Sequence, residues 1–467
     1  MATSRSHGDS SSKPEGLAEN ANSALQSLSE SAGVSRLHSA LGSDSELALV
    51  GGCVRDALSG VATTDIDLTT RLRPEETVSR LASANIRVIE TGIEHGTVLA
   101  VIDGTHYEVT TFRQPGPRVG SGYSERLETD LSGRDFTINA LAFDLSSRSL
   151  IDPFRGAQDL AQNLLRAVGD AQARFEEDPL RVLRMIRFGP AAGRAIEGET
   201  LTAARALGGR LKEVSVERIR HELDLILTGE HPAVALRMML ELGLLEVTLP
   251  EVLPTVGVEQ NDFHIHDVFE HTLDVIQNAP AERILRWTAL FHDLGKPATL
   301  TIDADGKRHF YLHEQVSGEI ALTVMERLKF SHSDIKTIRL LVDLHMRPLT
   351  CGPTGLRRLI RELGDDFDNW FLFKHADRPP RGAVGEFERD VAHFTGLLSA
   401  ERSRTVGSVY DSLAIRGDDI TKTGVPEGPR VGMILKALRD EVLDEPERNT
   451  REYLLQRVEV LRQQFKE

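Results

Sequence analysis

At 467 residues the chain is too long for one ordinary core and fits roughly three domains. A formal charge of −16 argues against a broad, non-specific grip on nucleic acid, and two widely separated cysteines, Cys53 and Cys351, give no disulfide framework and no cysteine metal site. No apolar run approaches the ~20 residues of a membrane span and the N-terminus has no apolar signal core, so a cytoplasmic protein without a membrane partner is expected.

In chain order, residues 1–30 are rich in Ser, Gly, Asn and Glu and read as a disordered tail, with Leu25, Leu28, Val34 and Leu37 suggesting a short helix before the first strand. Leu47 to Val50 predict a short buried strand, which Gly51-Gly52 break where a side chain would obstruct a tight turn or a phosphate. In Asp65-Ile-Asp67-Leu, strand alternation turns both carboxylates to one face. Such a pair either holds a divalent cation, for which Mg²⁺ suits hard oxygen ligands shared with phosphates, or is a solvated strand edge. Glu75 to Ala84 read as a helix, Arg87 to Ile89 as a strand, and Thr97 to Ile102 with Tyr107 to Phe112 as a hairpin turning at Asp103-Gly104. Glu108 joins the aspartates only if the register faces it their way, which alternation alone leaves open. The result is a head of about residues 31–150 with a mixed sheet.

Gln114 to Thr129 is rich in Gly, Pro and charge and predicts a mobile loop. In Asp130-Leu-Ser-Gly-Arg134-Asp135-Phe-Thr-Ile-Asn139, an arginine suits a triphosphate and an aspartate with an asparagine suits ribose hydroxyls; a surface ion pair beside a buried run is the alternative. After Asp152 the periodicity is helical, predicting a neck over 151–262. One long helix is expected to hold Phe175, Leu180, Val182, Leu183, Ile186 and Phe188, with Arg181, Arg184 and Arg187 near one side. Within it Glu177-Asp178-Pro-Leu-Arg181 could pair with a base edge or close an intrahelical salt bridge. Ser215 is a candidate cap for a helix carrying Arg218 and Glu222.

Residues 263–380 carry His271, His292-Asp293, His313, His345 and Asp377, a set suited to Mn²⁺, Fe²⁺, Ni²⁺ or Mg²⁺. Residues 381–467 end in amphipathic helices whose Lys436, Arg439, Arg448 and Arg451 either touch an RNA backbone or are solvated.

Taken together, Gly51-Gly52-x-Val54-Arg55-Asp56, Asp65-x-Asp67, Arg134-Asp135 and Glu177-Asp178-x-x-Arg181 resemble the class II tRNA nucleotidyltransferases and their bacterial poly(A) polymerase relatives, and the histidines resemble the HD phosphohydrolases. The resemblance covers nearly all of residues 38–467. It implies an α+β fold: a polymerase-beta-like head, an all-α neck, an HD body and a helical tail. By that resemblance Asp65 and Asp67, with Glu108 as a third candidate, bind catalytic Mg²⁺; Gly51, Gly52, Arg55, Arg134, Asp135 and Asn139 handle the nucleotide; Asp178 and Arg181 read its base; and Arg184, Arg187 and Arg218 line or support the pocket. His271, His292, Asp293 and Asp377 become the basic HD metal set, with His313 and His345 as further ligands and Ni²⁺, Mn²⁺ or Mg²⁺ as the ion. The implied activity is addition of C, C and A to tRNA from CTP and ATP, with an added HD phosphohydrolase activity. The alternatives are CC-only or A-only addition, a poly(A) polymerase, or an HD phosphohydrolase with an RNA-binding head. The family usually has a second arginine where Gly133 stands, and a loop more charged than Gln114 to Thr129.

Overall fold

The computed structural model describes residues 23–63, 65–89, 92–93, 96–116, 122–260, 266–378, 384–404 and 413–465. The chain divides into two compact units, Met1–Pro250 and Glu251–Glu467.

The first unit begins earlier than its composition suggests. Residues 23–29 are helical and Leu25 is fully buried, so the polar tail expected over 1–30 overlaps structured chain. Residues 1–22 of that tail lie outside the described residues. Seven strands form one mixed sheet: β1 (Ala48–Val50), β2 (Ile66–Thr70), β3 (Arg87–Ile89), β4 (Thr97–Ile102), β5 (Thr105–Thr111), β6 (Ala142–Asp144) and β7 (Ser149–Ile151), in the order β3-β4-β5-β2-β1-β6-β7. The β2–β5 pair is parallel and the rest are antiparallel. Parallel pairing needs a long crossover, and the chain between β2 and β5 makes it with helix Pro74–Ser83 followed by β3 and β4. Pairing then sets Asp67 opposite Glu108, while Ile66, Leu68, Tyr107 and Val109 point into the helix-covered core with Val34, Leu37 and Leu41 of helix Ala32–Leu41. Gly33 in that helix is required by close approach, since a Cβ there would lie 1.9 Å from the Tyr107 hydroxyl.

Beyond β7 the chain stays tied to the head. Asp159 in helix Gly156–Ala161 accepts a hydrogen bond from Thr137 Oγ1 at 2.7 Å, and Phe136 bridges Ala167. A short parallel pair, Leu164–Leu165 with Ala195–Ile196, interrupts the helical region expected there. The single helix expected over 175–188 is two, Ala171–Glu177 and Arg181–Phe188. The break falls at Asp178-Pro179-Leu180, where proline disfavours helix for the residue before it; Asp178 is extended, at φ −146° and ψ 99°.

Among the described residues the second unit is mainly helical, with a hairpin of Leu300–Ile302 and Arg308–Phe310, which periodicity did not reveal, and an isolated bridge between Glu259 and Asp267. Helices Val268–Asn278, Arg283–Phe291, His313–Arg327, His332–Asp343 and Phe367–Ala376 form its first part. Phe394 and Leu398 of helix Val384–Arg404 share a core with Leu356, Phe367 and Trp370, while Ile420, Ile434, Leu438, Leu454 and Val458 build a separate one farther along. Among the described residues no helix is long and apolar enough to cross a membrane.

Leu25→Ala should therefore cost about 2–5 kcal/mol of stability in urea titrations, as expected for a leucine emptied from a packed core. An unchanged midpoint would show that the helix over 23–29 does not pack in solution.

Candidate active site and metal centre

In the first unit the site forms on the sheet face away from the helix-covered core. Asp67 is half-buried on β2, Glu108 is its exposed partner on β5, and exposed Asp65 directly precedes β2. The pairing settles the register that alternation left open: Asp67 and Glu108 share a face. Partial burial, then repulsion from Glu108 and Asp65, pushes the Asp67 carboxyl up to about 6, against the opposing pull of Arg134 and Arg113. Mutual repulsion of this kind would be relieved by a divalent cation with hard oxygen ligands.

Next to them the chain turns at Gly51, at φ 73° and ψ −125°, a conformation that favours glycine. The turn also brings a guanidinium close: a Cβ on Gly51 would stand 2.9 Å from Arg134 Nη1. Gly52 opens helix Gly52–Leu58, on which Arg55 donates to Asn139 Oδ1 at 2.7 Å and to Asp56 at 2.8 Å. Asn139 donates onward to Asp135 Oδ1 at 3.0 Å, and Asp135 Oδ2 accepts from Arg184 at 2.7 Å. Arg184 Nη1 is in turn 3.6 Å from buried Glu222, whose other oxygen lies 3.0 Å from Arg187 Nε. Burial opposes ionisation of Asp135, yet Arg184, the Asn139 amide and Arg181 outweigh it and hold the carboxyl at about 2. Burial draws Arg187 down to about 10 despite Glu222. Phe188 lies at the middle of this group, with Arg55, Arg184 and Arg187 carbons 5.0, 5.3 and 4.2 Å from its ring centre.

At the helix break Asp178 and Arg181 do not form the i,i+3 salt bridge that was one of the two readings of the motif. Arg181 donates to Gly133 O at 2.8 Å, to Glu177 at 3.2 Å and to Arg174 O at 3.4 Å, while Asp178 accepts from Arg218 at 2.7 Å. Ser215 stands at the N-cap of helix Val216–Leu227 but makes no capping side-chain bond. The loop expected over Gln114–Thr129 is shorter, because Leu127–Ser132 is helical, and Tyr123 is fixed by a bridge to Arg113 and by Arg73, 4.5 Å from its ring centre. Residues 117–121 of that loop, and Glu94 and His95, lie outside the described residues.

The second unit holds a denser cluster. His292, Asp293 and His345 are each about 1% exposed. His292, His313 and His345 each place Nδ1 2.7–2.8 Å from a backbone carbonyl, of Ala289, Phe310 and Val342. A carbonyl can only accept, so each Nδ1 carries the proton and each Nε2 presents a lone pair. These Nε2 atoms converge on Asp293: His292 at 3.1 Å from Oδ2, and His313 and His345 at 3.2 and 3.8 Å from Oδ1. His271 Nε2 is 3.6 Å from Asp293 and 3.4 Å from Asp377. Two ligand sets result, His271-His292-Asp293 and Asp293-His313-His345, with Asp293 common to both. His292 Nε2 and both Asp293 oxygens lack hydrogen bonds of proper geometry despite this proximity, the condition of ligand atoms directed at an ion. Burial and His292 draw His345 down to about 3, keeping it neutral. Lys296 Nζ, 2.7 Å from Asp293, and Lys374, bonded to His345 O at 2.8 Å, were not singled out in the sequence. Lys296 is three residues beyond Asp293 in sequence, a spacing that could have marked it. The four basic residues of the tail are on its surface: Lys436 and Arg439 are exposed, Arg448 pairs with Glu445 and Arg451 with Asp419.

Sheet, glycine turn and acid face define a nucleotidyltransferase-type head, and the histidines define an HD centre. The family described as "Poly A polymerase head domain" matches residues 47–166, "Probable RNA and SrmB- binding site of polymerase A" matches 194–255, and "HD domain" matches 268–370. An A-adding tRNA nucleotidyltransferase of Deinococcus radiodurans is 33% identical over 421 residues, 84% of this chain and 90% of that one. A CCA-adding enzyme of Leuconostoc mesenteroides is 28% identical over 85% of this chain and 88% of its own. The crystal structure of the Bacillus stearothermophilus CCA-adding enzyme in complex with CTP matches in fold with a TM-score of 0.68 at 24% identity, covering 96% of this chain and 98% of that one. The chain belongs to the tRNA nucleotidyltransferase and poly(A) polymerase family.

The Asp135 cluster has a pH consequence. Its folded-state value lies below the 3.8 of a free carboxyl, so ionised Asp135 stabilises the fold above that pH and the contribution is lost as pH falls from 3.8 towards 2. The stability difference between wild type and Asp135→Asn should shrink over that window by roughly 2 kcal/mol, read by denaturant titration. A difference constant with pH would show that Asp135 is not held ionised.

Proposed function

We propose that the chain is a metal-dependent tRNA nucleotidyltransferase that adds C, C and A to the tRNA 3′ end from CTP and ATP. The observation that carries this reading is the meeting of Asp67 and Glu108 on one sheet face, beside the Gly51 turn and Arg134, in a family whose relatives add nucleotides to tRNA. Asp65 and Asp67, with Glu108 in support, would hold Mg²⁺, which when bound helps the 3′-hydroxyl to attack and steadies the leaving pyrophosphate. Arg134 and Arg55 meet the triphosphate over Gly51 and Gly52, while Asp135 and Asn139 hold the ribose. Arg181 uses Nη1 and Nη2 to grip Glu177, Arg174 O and Gly133 O, which aims its plane; its Nε–H and one Nη2 hydrogen are left for a base edge, with Asp178 as acceptor. Arg184, Arg187 and Arg218 position these groups. The domains are a tail over 1–30, trimmed by the helix at 23–29, a head over 31–150, a neck over 151–262, an HD body over 263–380 and a tail over 381–467 whose basic residues contact tRNA. The HD cluster, holding Ni²⁺, Mn²⁺ or Mg²⁺, adds a phosphohydrolase activity.

Complete CCA addition is favoured over A-only addition because one pocket retains both base-reading groups, although the Deinococcus radiodurans relative is named for adenosine alone. Purified protein should be given tRNA transcripts ending before the tail, after one C and after two Cs, with CTP, ATP or both, and the products sequenced. CCA on all three is expected. Growth stopping at CC despite ATP, or ATP use on the CC-ending transcript alone, would replace this reading with the corresponding partial enzyme, and long A tracts would indicate a poly(A) polymerase.

Asp65→Asn or Asp67→Asn should each reduce labelled CTP incorporation by 100-fold or more while leaving the fold intact, since a neutral amide cannot balance metal charge (on the order of 3 kcal/mol). In contrast, His292→Ala with Asp293→Ala should remove tightly bound metal and phosphodiester hydrolysis but spare incorporation. Near-normal incorporation by both head variants, or its loss in a folded HD double variant, would overturn the two-centre assignment.

A further inference from the structure

Three guanidiniums lie over one half-buried ring at the end of helix Arg181–Phe188. The Arg187, Arg55 and Arg184 carbons stand 4.2, 5.0 and 5.3 Å from the centre of Phe188. Like charges gathered so closely repel, and their carboxylate partners are partly shared: Arg184 has Asp135, Arg184 and Arg187 divide Glu222, and Arg55 has its neighbour Asp56. Arg194 brings a fourth guanidinium, which donates to Phe188 O at 3.2 Å. The crowding shows in Arg187, which burial, then Arg184 and Arg55, pull down to about 10 against Glu222 and Asp135. The face of an aromatic ring carries partial negative charge, so it offsets such crowding without adding a carboxylate.

The ring also has a fixed seat. Gly189 ends the helix directly after it by donating to Met185 O at 2.8 Å, and a Cβ on Gly189 would lie 2.7 Å from that same oxygen. Fully buried Phe136 meets Phe188 edge-on, with 6.1 Å between ring centres and 68° between planes. Phe136 belongs to the loop that carries Asp135 and Asn139, so one ring touches that loop and both arginines that hold these two side chains. Arg55 donates to Asn139 Oδ1 and Arg184 to Asp135 Oδ2, each at 2.7 Å. The Asn139 bond to Asp135, at 3.0 Å, completes a circuit of Arg55, Asn139, Asp135 and Arg184 with Phe188 behind it. Packing alone would need only bulk here, which a leucine supplies; a π-face beside both arginines is what a leucine lacks.

We propose that Phe188 is a positioning residue for nucleotide transfer: its ring holds Arg55 and Arg184 so that Asp135 and Asn139 keep the orientation in which they meet the ribose of the incoming nucleotide. This inference rests on the nucleotidyltransferase reading and on the ribose role given there to Asp135 and Asn139. Its consequence is selectivity for the sugar. Loosening the two arginines costs more with a ribonucleotide, whose 2′-hydroxyl the Asp135–Asn139 pair can bond, than with a deoxyribonucleotide that offers no such group.

The test measures incorporation by the full chain with Mg²⁺, comparing CTP with dCTP on a tRNA transcript lacking its 3′ end and ATP with dATP on one ending in two Cs. For whichever pair wild type uses, Phe188→Leu should lower kcat/KM of the ribonucleotide about tenfold, chiefly through KM, and shrink the preference for ribonucleotide over deoxyribonucleotide about fivefold. Phe188→Tyr, which keeps the ring, should hold both within about twofold of wild type. In an Asp135→Asn background the leucine change should no longer alter the preference. Phe188→Met gives the same comparison if denaturant titration shows the leucine variant unfolded. A preference that the folded variant retains, a loss as large in Phe188→Tyr as in Phe188→Leu, or a wild type indifferent to the sugar would overturn the role of the ring alone. Incorporation of none of the four nucleotides by wild type would overturn the nucleotidyltransferase reading and the ring's role with it.

Discussion

A carboxylate taken out of water must be paired or it will not stay charged, and Asp135 finds its partners in both halves of the first unit. Asn139 comes from the same loop and leads back to Arg55 and the helix behind the glycine turn. Arg184 comes from the neck and leads on to Glu222. One buried negative charge thereby fixes the angle between the sheet that carries the acids and the helices that carry Arg181 and Arg187. Arg181 reinforces the joint by capping Gly133 O, in the same loop.

The two acidic centres solve opposite problems. In the head Asp65 and Glu108 are open to solvent, Asp67 is half-buried between them, and the three repel one another, a setting that a hydrated divalent cation would relieve. In the HD cluster the ligands are buried, and three imidazoles are locked by backbone carbonyls so that their lone pairs point inward. Ligands oriented in this way are arranged in advance for an ion.

Much of this was legible in the sequence because it is local. The Gly51-Gly52 break, the Asp65/Asp67 spacing, the adjacent His292-Asp293 pair and the α+β to all-α succession each follow from a few neighbouring residues. The facts that escaped depend on pairing between distant segments or on competition between partners. Whether Glu108 faced Asp67 was a question of register, answered only by the parallel ladder. The salt bridge weighed as one reading of Asp178 and Arg181 is not made: Asp178, extended before Pro179, meets Arg218, and Arg181 meets Glu177 and Gly133. Leu25 and Leu28 carried the signal of a short helix, and the chain is helical over 23–29; what composition misplaced was the end of the polar tail, drawn at residue 30. The hairpin of Leu300–Ile302 and Arg308–Phe310 was hidden because its strands are three residues long, too short to alternate.

The parallel pairing of β2 with β5 also has a consequence for the chain as it is being made. The acids at Asp67 and Glu108 are about forty residues apart, and their neighbourhood is completed by Asp135 and Arg184 much later in synthesis. Non-local pairing of this kind forms slowly, because loop-closure entropy must be met before any contact rewards it. A nascent chain that has exposed only its head therefore has the acids but lacks Arg184, the neck partner that keeps Asp135 charged.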